Sequence, residues 1–166
     1  GKILRINADG SIPEDNPFKE SPIYSIGHRN LQGLSWDPIT NSLFSSEHGQ
    51  NRHDEINKIE KGKNYGWGIK RCDEVYNPTP DKKELIGPAF CFKAWTGAPS
   101  GMTFVDDKNS PWYGNLFVGL LRGKHLHRFI LDNGNIVKDE IFFINIFPND
   151  QSNLDRAFRD VEYYNG

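Results

Sequence analysis

The sequence contains no long hydrophobic run. Nowhere in its 166 residues do about 18 apolar residues follow one another, which is the length that a transmembrane helix needs. The first residues, GKILRINADG, lack both the cationic and the apolar region of a signal peptide. We therefore expect a soluble chain without a membrane span, from which any signal peptide has been removed.

Clustered positive charge is also missing. The 20 Lys and Arg residues are scattered among 22 Asp and Glu residues, and the net charge is -2. A protein that binds nucleic acid or an anionic membrane through its charge carries a basic patch. The sequence therefore argues against both partners, and its 36% hydrophobic and 25% charged residues are typical of one globular domain.

Cysteine is scarce. Cys72 and Cys91 are the only two, and they do not form the CxxC pair that would indicate zinc. Two such residues are either buried thiols or one bridge across a loop. Of these alternatives we favour free thiols.

No segment of useful length has the apolar spacing of an amphipathic helix. The apolar stretches are short and often alternating, and turn sequences such as DG and DNGN separate them, which predicts an all-β fold. The polar segment from Cys72 to Pro88 carries three prolines and is predicted to be a long loop. The predicted strands are Lys2 to Asn7, Ile23 to Gly27, Gly33 to Asp37, Ser42 to Ser46, Glu55 to Glu60, Met102 to Asp106, Asn115 to Leu120, His125 to Leu131, Asp139 to Asn145 and Asp160 to Tyr164.

The chain repeats itself. GLSWDPITNSLF (33–44) aligns with GMTFVDDKNSPWYGNLF (101–117), and GKILRINADG at the start is similar to GKHLHRFILDNG (123–134). The repeating unit has about 60 residues and four strands, as in a blade of a β-propeller. Residues 1–166 hold about two units plus a strand at either end, with Gly1 to Asn7 as the outer strand of an incomplete blade.

Two units are too few to close a ring, because propellers typically have about 4 to 8 blades. We therefore expect one partial propeller that is a piece of a longer chain, and a small self-contained sandwich is the alternative. The remainder of the propeller, or another copy, is expected to cover the exposed strand edges.

The polar stretch SSEHGQNRHDEIN (45–57) lies between two predicted strands. His48 and His53 are five positions apart without a helix to align them, so zinc is poorly supported. Gly49 lets the backbone approach a ligand and offer carbonyl oxygens to a hard cation, so calcium fits better. The stretch is otherwise a general acid-base site or a solvated turn.

A second polar stretch, GHRNLQG (27–33), lies just before the predicted strand pair Gly33 to Asp37 and Ser42 to Ser46. Arg29 offers a planar set of donors that suits carboxylates, and Asn30 and Gln32 can each donate and accept. Together the two stretches predict a site for an anionic, polar, planar ligand. A hydrogen-bonded turn is the alternative for the second one.

The ordered motifs GHRNLQG, EHG, DEIN and GKNYGWG resemble the core of the soluble glucose and sorbosone dehydrogenase family, the quinoprotein aldose sugar dehydrogenases. The similarity continues through WTGAPSGMTF, GNLFVGLLRG and RDV, and it runs from Gly1 to Val161. It implies a six-bladed propeller of which this chain is the middle third to half. It also implies a periplasmic or secreted enzyme that binds pyrroloquinoline quinone (PQQ) and calcium and oxidises the anomeric carbon of aldoses to lactones.

The resemblance implies roles for individual residues. Arg29 and Asn30 match residues at the reacting carbonyl side of PQQ, and Arg29 would stabilise negative charge there during hydride transfer. His48 matches a residue against the cofactor. The carbonyls of Gly49 and Gln50 match the calcium ligands. Cofactor carboxylates would be bound by Arg122 and Arg159.

On the substrate side, the resemblance implies that Trp95 walls the sugar site. Asp54 matches the acid that supports the EHG loop, and we group it with Trp95. We expect Arg29, Asn30, His48, Gly49, Arg122 and Arg159 to converge on one face near the propeller axis, with Trp95 at the rim.

Four departures from the family pattern matter. Gln50 and Gly68 stand where the family usually has Pro, and Ala157 replaces an arginine for which the neighbouring Arg156 is a candidate substitute. No residue matches the family's catalytic His, so this segment alone is expected to be inactive. The rival interpretation is a non-catalytic extracellular propeller that serves as a binding domain.

Overall fold

The computed structural model describes residues 1–78, 84–94, 96–144 and 157–164. Within these ranges every regular element is a strand, and no helix is long and apolar enough to cross a membrane. The strands are β1 (Lys2–Leu4), β2 (Ile23–Ile26), β3 (Leu31–Trp36), β4 (Leu43–Glu47), β5 (Asp54–Ile59), β6 (Lys70–Arg71), β7 (Glu74–Val75), β8 (Phe90–Phe92), β9 (Pro99–Phe104), β10 (Leu116–Leu120), β11 (His125–Asp132) and β12 (Asn135–Phe142).

The strands form two four-stranded antiparallel sheets, ordered β3-β4-β5-β8 and β9-β10-β11-β12. Two pairs, β1-β2 and β6-β7, flank them. All five residues of β10, LFVGL, are buried, as expected for a continuous apolar strand covered on both faces. β12 contains only exposed and half-buried residues, as expected for an edge strand.

The two sheets pack through their first strands, β3 and β9. The Ser35 hydroxyl accepts the Phe104 N–H at 3.1 Å, and the Ser46 hydroxyl donates to the Ser100 carbonyl at 2.5 Å. A Cβ on Gly33 would lie 2.7 Å from that carbonyl, so only glycine permits this approach. The main apolar core lies between the sheets and contains Phe44, Ile56, Phe92, Met102, Phe104, Leu116, Val118, Leu120 and Phe129.

The prediction of an all-β partial propeller with about two complete antiparallel blades is confirmed. β3 and β9 are the innermost strands of the two blades. β1 and β2 pair with each other as a two-stranded sheet, as the outer strands of an incomplete blade would, and Ile26 at the end of β2 also forms an isolated bridge with Asn64. On the face of β3 that points away from β9, Leu34 and Trp36 are 51% and 57% exposed.

The prediction of a strand at Asp160 to Tyr164 is wrong. Residues 157–164 run alongside β9, where Gly101 N–H donates to the Arg159 carbonyl at 2.8 Å and the Tyr163 hydroxyl donates to Asp107 at 3.2 Å. A strand requires a ladder of backbone hydrogen bonds, and within the described ranges this segment belongs to no sheet, although it lies beside β9.

The prediction of free thiols is also wrong, because Cys72 and Cys91 form a disulfide with a Cα separation of 5.9 Å. Cys91 lies on β8, opposite Glu55 in β5, and the Glu55 carboxylate accepts the Cys72 N–H at 2.7 Å. The bridge therefore holds the segment between β5 and β8, which contains β6 and β7, against the first blade.

Most strand boundaries differ from the predictions by up to three residues, as in β1, which ends at Leu4, and β9, which begins at Pro99. Two differences are larger. The loop predicted from Cys72 to Pro88 contains β7, and β6 and β8 flank it. The outer strand of the second blade begins at Asn135 and ends at Phe142, whereas the predicted strand runs from Asp139 to Asn145, a residue outside the described ranges.

Candidate functional site

One end of the two blades carries a cleft of about 440 Å³. In antiparallel sheets the beginning of one strand lies beside the end of the next, so the segments before β3, β5 and β9 meet those after β4 and β10. These segments carry most of the predicted site residues. The cleft is lined by Arg29, Asn30, His48, Gly49, Asn51, Asp54, Thr96, Ala98, Leu121 and Arg122.

The loop after β4 turns sharply at Gly49. A Cβ there would lie 2.1 Å from the His53 carbonyl oxygen, so no larger residue fits. Asn51, Arg52 and His53 follow with φ of 56°, 120° and 62°, a left-handed run that is unfavourable for residues other than glycine. Strain of this kind persists only where surrounding contacts hold the loop.

Asp54 provides that hold. It is 1% exposed, and its two carboxylate oxygens accept backbone N–H groups of Gly49 and Ala98, both at 2.8 Å. Gly49 belongs to the first blade, and Ala98 leads into β9 of the second. Asp54 therefore joins the loops of the two blades at the base of the cleft.

Arg29 and Asn30 contact the backbone of His48. The Arg29 guanidinium donates to the His48 carbonyl and the His48 N–H donates to the Asn30 carbonyl, both at 2.9 Å. The Asn30 amide lies 3.4 Å from His48 Nδ1. The GHRN and EHG motifs are thus one unit in three dimensions.

Glu47 holds this unit from the strand side, a role that the sequence motifs do not predict. It is buried, and its carboxylate accepts the Arg29 backbone N–H and, at 3.1 Å, Nδ1–H of His28. His28 is fully buried, pairs with the Ser25 hydroxyl at 2.8 Å and stacks on Tyr65. An ionisable residue that ends a buried strand, two positions before Gly49, is the signal that indicates this role.

A second carboxylate, that of the half-buried Glu55, lies beside Glu47. Glu55 faces it across the β4-β5 pair, and Asn57 donates to Glu55 at 3.2 Å and to Glu47 at 3.5 Å. Burial raises the pKa of Glu55, and the neighbouring Glu47 charge raises it further, against the lowering effect of its hydrogen bonds from Cys72 and Asn57.

The cleft is suited to an anion. Arg29 and Arg122 both line it, and neither guanidinium has an ion pair with an acidic residue in the described ranges. His48 Nε2 is buried and has no hydrogen-bond partner among those residues. Two unneutralised guanidinium groups and one unused ring nitrogen therefore meet in one cleft.

The other predicted site residues are placed differently. Arg159 is exposed and does not line the cleft, and Gln50 lines a neighbouring cavity of about 20 Å³. Trp95 and Arg156 lie outside the described residues. Across the residues that the structure describes, no three His, Cys, Asp or Glu side chains are grouped to hold a metal ion.

Comparison with known proteins identifies the family. The aldose sugar dehydrogenase YliI of Escherichia coli is 38% identical over 152 residues, which cover 84% of this chain and 41% of that protein. The quinoprotein glucose dehydrogenase B of Acinetobacter calcoaceticus is 57% identical over 70 residues, 40% of this chain and 14% of that protein. The chain thus spans about two-fifths of the E. coli relative.

Solved structures agree with the sequence comparisons. The PQQ-bound form of an aldose sugar dehydrogenase from Streptomyces coelicolor superposes with a TM-score of 0.71 and 34% identity, over 87% of this chain and 40% of that one. The family model described as glucose/sorbosone dehydrogenase matches residues 1–162. Because this match extends over nearly the whole chain, the chain belongs to the glucose/sorbosone dehydrogenase family, as its motifs predict.

Proposed function

We propose that this chain supplies the cofactor face of a PQQ- and calcium-dependent aldose sugar dehydrogenase. The observation that carries the proposal is the convergence of Arg29, Asn30, His48 and Arg122 on one cleft, with both guanidinium groups unneutralised by the described residues. PQQ is a planar quinone with several carboxylates, and Arg recognises such groups through two parallel hydrogen bonds. The similarity to a PQQ-bound enzyme supports the same assignment.

The position of each residue in the cleft suggests which group of the cofactor it would contact. Arg122 stands on the segment after β10 and would bind a carboxylate of the cofactor. Arg29 and Asn30 would donate to the quinone oxygens, where a fixed positive charge stabilises developing negative charge. His48 would donate or accept through its unused Nε2. The chemistry that PQQ supplies when bound is acceptance of a hydride from the anomeric carbon of the sugar, which yields the lactone.

Calcium would be held by the carbonyls of Gly49 and Gln50. The glycine is required by the close approach of the His53 carbonyl, and the left-handed run after it turns the backbone within a few residues. Two carbonyls are too few on their own, since calcium takes about 6 to 8 oxygen ligands. Carboxylates of PQQ are suited to supply others, so we expect the metal and the cofactor to bind together.

The rest of the longer protein would complete the enzyme. The proton acceptor for the sugar hydroxyl is expected there, because no residue in this chain matches the family's catalytic His. Strands of a neighbouring blade would cover the exposed Leu34 and Trp36. A disulfide is typical of proteins in oxidising compartments, which supports a periplasmic or secreted location.

Dye reduction by the full-length protein tests the proposal. We expect activity with several aldoses only after PQQ and calcium are both added. Arg122→Gln should weaken PQQ binding, whereas Arg5→Gln, at an arginine that pairs with Asp15 on the β1-β2 pair, should not. Failure of the wild-type protein to bind PQQ would rule the proposal out and favour a binding domain, and sugar oxidation without PQQ would rule out the assignment of the cofactor.

A further inference from the structure

We infer that Trp67 is a positioning residue for Arg29: it stacks on the guanidinium from the side away from the cleft and fixes the direction of its donors. This inference rests on the proposed function where it concerns PQQ. The Arg29 Cζ atom lies 5.2 Å from the centroid of the Trp67 ring, within the range of a cation–π contact. Arg29 lines both the cleft and the small cavity behind it, whereas Trp67 lines only that cavity.

The backbone places the indole ring there. The Gly27 carbonyl accepts the Trp67 N–H at 2.8 Å, and the Ile26 carbonyl accepts the Tyr65 N–H at 2.9 Å. Gly27 has a φ of 79°, and a Cβ on it would lie 2.6 Å from the Gly66 nitrogen. The segment before Arg29 and the NYGW segment are therefore held against each other by backbone contacts that require glycine.

The ring acts on Arg29 without using its hydrogen-bond donors. A guanidinium has five N–H donors, and the structure assigns Nη1 to the His48 carbonyl at 2.9 Å. The Arg29 backbone is fixed separately, by its N–H donating to Glu47. A stacked indole restrains the plane of the group and leaves the remaining N–H donors for a ligand.

A second Trp–Arg pair shows what a purely structural contact looks like in this chain. Arg128 Cζ lies 5.7 Å from the Trp112 ring centroid. Its guanidinium is satisfied by Asn115 at 2.7 Å and by Glu140 at 2.8 Å, and neither Trp112 nor Arg128 lines the cleft. Trp67 and Trp112 are 37% and 43% exposed, so Trp112 is a matched control.

The first experiment needs no cofactor. In protein labelled at arginine, the side-chain protons of Arg29 should be shielded by the indole ring current. Trp67→Leu should remove that shielding, Trp67→Phe should retain part of it, and Trp112→Leu should leave Arg29 unchanged while shifting Arg128. Unchanged Arg29 resonances in a folded Trp67→Leu variant would overturn the inference. If Trp67→Leu does not fold, Trp67→Phe is compared with Trp112→Phe in the same way.

The second experiment uses the full-length protein with calcium and PQQ. A cation–π contact corresponds to between about twofold and thirtyfold in affinity, so Trp67→Leu should raise the dissociation constant for PQQ by a factor in that range. Trp67→Phe should restore part of the loss. With saturating PQQ, kcat should fall while the sugar KM stays unchanged, because the ring does not line the cleft. Trp112→Leu should bind PQQ as the wild type does.

The outcomes separate the two proposals. Absence of PQQ binding by the wild-type protein rejects the proposed function, and the ring-current experiment then decides alone whether Trp67 holds Arg29. Normal PQQ binding by both the wild type and Trp67→Leu leaves the proposed function intact and rejects the role of Trp67.

Discussion

The two blades share one strand order but differ in what they bury. In the second blade, β10 is buried along its whole length and is apolar throughout. The cleft end of the first blade instead buries Glu47 and Asp54, and the left-handed run at Asn51, Arg52 and His53 lies in the loop between β4 and β5. Buried charges and strained backbone reduce stability and persist where function requires them. The contrast predicts that substitutions in the second blade mainly change stability, and those at the cleft mainly change ligand binding.

The largest effect on stability is expected from the core that the blades share. Phe129 of β11 is fully buried, and its ring contacts Phe90 of β8 at 4.9 Å between centroids. Phe129→Ala should lower the free energy of unfolding by about 3 to 5 kcal/mol, because it removes apolar contacts and leaves a cavity. Phe18→Ala, at a 37% exposed ring, is the control for chemical denaturation. A loss at Phe129 no larger than at Phe18 would contradict this arrangement of the core.

The disulfide should have the next largest effect. The bridge joins residues 19 positions apart, and closing a loop of that length in the unfolded chain corresponds to about 3 kcal/mol. Cys72→Ala with Cys91→Ala should lower stability by up to that amount. Thermal unfolding of the double variant, compared with the wild type before and after reduction, measures the effect. Wild-type stability that does not change on reduction would contradict it.

Much of the fold is accessible from sequence because its signals are local. Short apolar stretches between turn sequences, some alternating and some continuous, locate β3, β4, β10 and β11 within a few positions. The disulfide and β8 cannot be predicted from local signals, since both depend on the pairing of β8 with β5, which are separated by a long segment of the chain.

The candidate site likewise contains residues that the sequence predicts and contacts that it does not. Arg29, Asn30, His48 and Arg122 are found through motifs, and the structure places all four at one cleft. The Glu47–His28 pair and the stacking of Trp67 on Arg29 depend on side-chain directions that no short motif specifies.

Asp54→Asn should have a smaller effect on stability and a clear effect on the loops. Both carboxylate oxygens accept backbone N–H groups, and an Asn side chain offers only one acceptor, so one N–H is left facing an amide NH₂. An unsatisfied buried donor costs about 1 to 3 kcal/mol. Hydrogen exchange at Gly49 and Ala98 should accelerate together, whereas exchange at Val118 in the second blade should change less. Unchanged exchange at both loop amides would show that Asp54 does not join the blades.

The smallest effect is a pH dependence that has opposite signs in the two blades. Burial raises the pKa of Glu55, so the folded state binds a proton more readily than the unfolded state, and Glu55 makes stability fall as pH rises above about 4.5. Burial lowers the pKa of His125 and His127, so these residues make stability fall as pH drops below about 6.5. The contribution of Glu55 and that of the two histidines change stability in opposite directions with pH between about pH 4.5 and 6.5. Neither changes the free energy of unfolding by more than about 1.4 kcal/mol per pH unit for each proton.

Glu55→Gln separates the two slopes. The variant should lose the part of stability that falls with rising pH, and its unfolding free energy between about pH 4.5 and 6.5 should then rise more steeply with pH than that of the wild type. The Gln oxygen can still accept the Cys72 N–H, so the fold should be retained. Glu14→Gln, at an exposed position, is the matched control and should leave the slope unchanged. A shallower slope in Glu55→Gln than in the wild type would mean that the folded state favours the ionised carboxylate, and that Glu55 does not carry the opposing contribution assigned to the first blade.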